Sequence, residues 1–145
     1  MRTKFSLILL ICISFSLTAC QMISDITGSN RPVSVTLGDP FILMGGQAAF
    51  IKGGDLQITF ESILEDSRCP QDVECVWEGE AKVQLSILHI GNSSETLILS
   101  TLMARGIAQY LHYDLKLLEL TPYPSTAGGE IEFEDYKATL LVTEQ

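Results

Sequence analysis

Basic residues are scarce in this chain. Nine lysines and arginines face eighteen acids, a formal charge of −9 over 145 residues. Such a surface has little with which to neutralise phosphates, so a nucleic-acid partner is excluded. Flat adsorption on anionic lipid is disfavoured for the same reason. Histidine is limited to His89 and His112, far apart and each inside a strand-like pattern. Zinc needs four nitrogen or sulfur ligands at a recognisable spacing, and none exists. Residues 61–80 hold seven acids against Arg68 alone, which reads as a solvated acidic rim and not as a calcium loop. No metal and no cofactor is expected. The chain also lacks a Gly-X-Ser-X-Gly elbow, a His-Glu-X-X-His helix and a phosphate-cradling glycine loop. No catalytic residue is assigned.

Long apolar runs are absent except at the start. Arg2 and Lys4 precede an almost wholly apolar stretch from Phe5 to Leu17, and no acid occurs before Asp25. This charge order holds the start in the cytoplasm while the apolar run enters the export channel. The run is short of the roughly 20 residues of a membrane span. It ends in Leu17-Thr18-Ala19-Cys20. The whole resembles the type II signal peptide of bacterial lipoproteins. The resemblance implies cleavage before Cys20 and diacylglycerol on its thiol. Two or three acyl chains make a firm anchor, at about 0.8 kcal/mol per buried methylene. The expected plan is a signal peptide over 1–19, a lipidated tether over 20–32 and a single β domain over 33–145. Loss of 1–19 removes two bases and no acid, so the charge falls to −11. Gln21 stands where aspartate would signal inner-membrane retention in enteric bacteria. The resemblance therefore implies export to the cell envelope, on the outer membrane if the host has two.

Past the tether the pattern has period two. Val33, Val35 and Leu37 alternate with polar residues, as do Leu56, Ile58 and Phe60, and Ala81, Val83, Leu85 and Ile87. Shorter apolar segments lie at 41–44 and 48–51, and a return strand at 96–102 follows Gly91-Asn92-Ser93-Ser94. Leu111, Tyr113, Leu115 and Leu117 alternate, then the phase slips to Leu118 and Leu120, which predicts a bulge. Tyr136, Ala138, Leu140 and Val142 close the series. No long segment has a helical period. The class is all-β, an antiparallel β-sandwich of about six to eight strands, with a small β-barrel as the alternative.

Cysteine is also sparse once Cys12 leaves with the leader and Cys20 takes lipid. Cys69 and Cys75 remain, five residues between them, in an oxidising compartment where a disulfide persists. Closing so small a loop is worth about 2 kcal/mol on the chain-entropy estimate. The spacing is longer than the redox Cys-X-X-Cys. The surrounding Asp66-Ser67-Arg68-Cys69-Pro70, with Cys75, Trp77 and Gly79 after it, resembles a segment of small bacterial exported proteins and lipoproteins. That likeness implies a grouping and lends no activity. Bottom-up, Pro70 fixes φ beside the first cysteine. Trp77 is expected to cover the disulfide. Asp66 and Arg68 are expected to pair across the loop mouth or to hold its backbone. Asp66, Arg68, Asp72 and Trp77 form the candidate recognition loop, since rigid loops carry binding more often than cores do. The expected function is a lipid-anchored binding or structural module of the envelope, with an envelope protein or glycan as partner. A small hydrolase-like envelope enzyme, with a site the residues do not flag, is the alternative.

Overall fold

The computed structural model describes residues 31–53, 55–102 and 105–145. The expected signal peptide, Cys20 and most of the expected tether lie outside the described residues. Nine strands follow: β1 (Val33–Thr36), β2 (Phe41–Met44), β3 (Ala48–Lys52), β4 (Leu56–Asp66), β5 (Ala81–His89), β6 (Glu95–Ser100), β7 (Ile107–Tyr110), β8 (Tyr113–Thr121) and β9 (Lys137–Glu144). A 3₁₀ turn, Phe133–Asp135, precedes β9. No α-helix occurs among the described residues.

The strands form two sheets, one ordered β1-β3-β4-β5-β6 and the other β2-β9-β8-β7. They do not close on each other, so the architecture is a sandwich and the barrel alternative falls. Alternation explains the layering, because a strand sends successive side chains to opposite faces. Ile58, Phe60, Val83, Leu85 and Ile87 enter the core from one sheet, and Leu43, Leu115, Leu120, Leu140 and Val142 from the other. Each such buried side chain contributes about 1.5–3 kcal/mol relative to exposure.

Among the described residues all pairings are antiparallel but one. β1 runs parallel to β3, with Val33 opposite Ala49 and Thr36 opposite Lys52. Parallel neighbours need a crossover, and here β2, which belongs to the other sheet, supplies it. The bulge expected near Leu118 is present, since the β8–β9 register shifts between Leu117 and Glu119 and Leu118 is exposed.

The ninth strand corrects the expected number. Residues 107–110 form β7, and the segment read as one strand from Leu111 begins at Tyr113. Leu111 and His112 are the two residues of a tight β7–β8 turn, closed by the Tyr110–Tyr113 pair. Leu111 takes φ 54°, a conformation that ordinarily calls for glycine or asparagine. With no such residue at the turn, the apolar alternation ran straight through it. His112 is therefore a turn residue and not a strand residue.

Candidate functional site

β4 reaches beyond β3, its neighbour on one side, and β4 and β5 carry residues 67–80 between them. The two limbs of this segment continue the ladder. Ser67 N–H donates to the Glu80 carbonyl at 2.8 Å, and Cys69 N–H to the Glu78 carbonyl at 2.9 Å. Gly79 sits where the limbs meet, at φ +69°, and a Cβ there would run into the Ser67 carbonyl. Glycine is the residue that fits such an approach. Farther out, Cys69 and Cys75 are joined by a disulfide with a Cα–Cα distance of 5.9 Å.

The base of the segment is ionic and buried. Arg68 is only 4% exposed. Its Nε donates to Asp66 Oδ1 at 2.8 Å and its Nη2 to Asp66 Oδ2 at 2.6 Å. Nη1 donates to the Leu120 carbonyl at 2.5 Å and Nη2 to the Pro122 carbonyl at 2.8 Å. The guanidinium also lies 4.4 Å from the centroid of the Tyr123 ring. Tyr136 completes the cluster by donating its hydroxyl to Asp66 Oδ2 at 2.9 Å. One arginine thus ties the loop base to the 120–123 segment of the other sheet. A planar fork with five donors suits that task where a lysine would not.

The charges of this cluster are fixed. Burial opposes ionisation of Asp66, but the Arg68 hydrogen bonds and charge, with the Tyr136 hydroxyl, outweigh it and hold the carboxyl below its ordinary range. Burial likewise works against the Arg68 charge, and Asp66 overrides it and raises its pKa. Burial and the adjacent Asp66 carboxylate push the Tyr136 phenol up to about 12. An ionised acid and a protonated phenol that already satisfy each other hold no spare proton for chemistry.

A second tie runs from the middle of the loop. Asp72 accepts from the Thr126 backbone N–H at 2.9 Å and from the Thr126 hydroxyl. These bonds lower its pKa. Gln71 N–H donates to the Pro124 carbonyl at 3.0 Å. Beside the limbs, the Ser100 hydroxyl donates to Glu80 at 2.7 Å, and Lys82 reaches Glu65 at 2.6 Å.

The four residues singled out in the sequence therefore separate. Asp66 and Arg68 do pair, and they also brace. Asp72 anchors the loop to residues 124–126. Trp77 does not cover the disulfide, because its side chain is 82% exposed, and its neighbour Val76 is 90% exposed. The ring was expected to pack on the disulfide because it lies two residues past the second cysteine, but Cys75 is itself exposed. Sequence reasoning missed Tyr123, Thr126 and Tyr136 as partners. Their signal was faint, for two lie in a turn-rich stretch and Tyr136 reads as one more apolar strand position. Among the described residues no group of three or more His, Cys, Asp or Glu side chains is placed to hold a metal ion.

What the arrangement offers is a shape-stable tip. Covalent, ionic and hydrogen-bonded ties fix its backbone, and two apolar side chains stand in solvent between Glu74 and Glu78. No family model, no curated protein and no solved structure matches this chain.

Proposed function

We propose that the protein is a lipid-anchored binding module of the bacterial cell envelope, held through Cys20 and presenting the Cys69–Cys75 loop to an envelope protein or glycan. One observation carries the reading. The chain's sole tryptophan stands 82% exposed on a loop that three kinds of tie hold in place. Tryptophan is a favoured anchor of interfaces, where a large rigid ring gives contact area at small conformational cost. A braced loop loses little further freedom on binding. The anchor rests on the Leu17-Thr18-Ala19-Cys20 order after a basic start and an apolar run.

Both halves are testable. Wild-type protein should enter the detergent phase of a phase separation with acyl mass on its first residue, and Cys20→Ser should not. Aqueous partitioning of unacylated wild type would end the anchor reading. For the loop, Trp77 is its own reporter. Its fluorescence should shift to the blue on titration with solubilised envelope protein or with envelope glycan, and Trp77→Ala should lose retention on the same fraction. Unchanged emission with both fractions, and equal retention of Trp77→Ala, would return the loop to scaffolding.

A further inference from the structure

The lengths of β3 and β4 do not match. β3 pairs with β4 from Phe50 back to Ala48, opposite Gln57 to Thr59. The last backbone bonds on that side are Phe60 N–H to the Gln47 carbonyl and Gly46 N–H to the Phe60 carbonyl. At Gly45 the chain leaves for β2, passing so close to the Phe133 carbonyl that a Cβ there would collide with it. β4 runs on to Asp66, still paired with β5 as far as Asp66 opposite Ala81. Among the described residues no strand pairs with its outer side beyond Phe60.

A cleft of about 700 Å³ opens there, between residues 62–66 of β4 and residues 129–133 of the loop before β9. Each wall is a run of five consecutive residues. A strand's face offers every second residue, so a consecutive run means that the backbone edge itself lines the cleft. Glu132 on the far wall is extended, at φ −66° and ψ 147°. Ile63, Ile131 and Phe133 are half-buried and give an apolar floor, while Glu65, Glu130 and Glu132 are exposed at the rim. No basic side chain lines the cleft. Asp66 is already spent on Arg68.

We infer that this cleft accepts an extended cationic peptide segment of a partner protein, added as a short strand to the outer edge of β4. Strand addition draws affinity from main-chain bonds and selectivity from alternate side chains. Five residues of edge accommodate roughly 17 Å of strand at about 3.3 Å per residue. Register shifts between Phe60 and Ser62 and between Ile63 and Glu65 add local twist. Twist limits pairing to a short length and keeps an edge from propagating into aggregates. Charge selects the occupant. Glu65 is paired with Lys82 at 2.6 Å, so Glu130 and Glu132 are the rim acids that favour lysine or arginine on the peptide's solvent side, with apolar residues between them facing the floor. A second copy would bring the same acids against them, and residues 21–30 of this chain contain Asp25 and no base.

The inference concerns a surface separate from the Trp77 tip and stands apart from the proposed function. The test uses the full chain as the cell makes it and an end-blocked heptapeptide of alternating lysine and valine. Amide hydrogen exchange should slow within 62–66 and 129–133 on adding peptide. Glu130→Lys with Glu132→Lys should weaken binding about tenfold or more. N-methylation of alternate peptide amides should abolish it, and Trp77→Ala should leave it intact. Equal binding of the N-methylated peptide would reduce the effect to charge attraction and overturn the inference. So would protection elsewhere, or no binding at all. Concentration-dependent protection without peptide would assign the cleft to a second copy, and protection lost on deleting residues 21–30 would assign it to the chain's own tether. Either result replaces the partner peptide.

Discussion

Residues 66–68 and 75–77 lie within a dozen positions of each other and reverse the usual distribution of polarity. At the base, a carboxylate and a guanidinium are buried. At the tip, valine and tryptophan stand in water. A buried charge and an exposed large apolar side chain are each more informative than their opposites. The base shows what holds the loop and the tip shows what the loop displays. Charged residues in an acidic loop invite a reading as contact residues, yet here the charges are enclosed and shape the backbone.

The contrast is sharpest in stability. Arg68→Met leaves Asp66 charged and underpaired and strips the Leu120 and Pro122 carbonyls of their donors. Urea unfolding should report a loss of about 3–5 kcal/mol, the usual cost of breaking one side of a buried pair. A loss under about 1 kcal/mol would mean that the base is not the brace. The covalent tie should count for less. Cys69→Ser together with Cys75→Ser should cost about 2 kcal/mol, with faster amide exchange confined to 70–78. If exchange at 66–68 rises equally, base and tip are one unit and the comparison breaks.

The base should also set both ends of the pH range. Asp66 is held low, so its contribution is present above the ordinary carboxylate pKa of about 3.9 and is lost as pH falls through its depressed value. Tyr136 is held high, so its contribution is full below about 10 and drains away as pH rises toward about 12. Tyr136→Phe should cost about 1.5 kcal/mol near neutrality. It should also flatten the alkaline limb of a melting-temperature profile while the acid limb stays. An unchanged alkaline limb would place the sensitive group elsewhere. The smallest effect belongs to the largest side chain, since Trp77→Ala should alter stability by no more than about 0.5 kcal/mol. A larger loss by calorimetry would mean that the ring packs after all.

How much of this was legible follows from the range of the interactions. Strands such as β4 and β5 imprint themselves on the sequence because one face is buried and every second residue must be apolar. The slip at Leu118 was legible for the same reason. β7 was not, being four residues long and followed by a turn made of leucine and histidine. Asp66 and Arg68 are two positions apart, so their pairing could be read. Their other partners are not legible. Two are backbone carbonyls more than fifty residues away, and a carbonyl carries no side-chain signature. The β4 cleft arises from a difference in strand lengths, which no local pattern records.

The parallel pairing of β1 with β3 has a mechanical consequence. A pull arriving from the N-terminal side is delivered first to β1, which is paired with β3 over Val33 to Thr36. Drawn along its axis, β1 would have to slide past β3, so its ladder bonds share the load together instead of opening one after another. Gln47 Nε2 grips the Arg31 carbonyl just before the strand at 3.0 Å, and Gly38 N–H bonds the Val142 carbonyl of the opposite sheet just after it at 2.8 Å. The first strand is thus clamped at both ends, and a pull along its axis would load that clasp in shear.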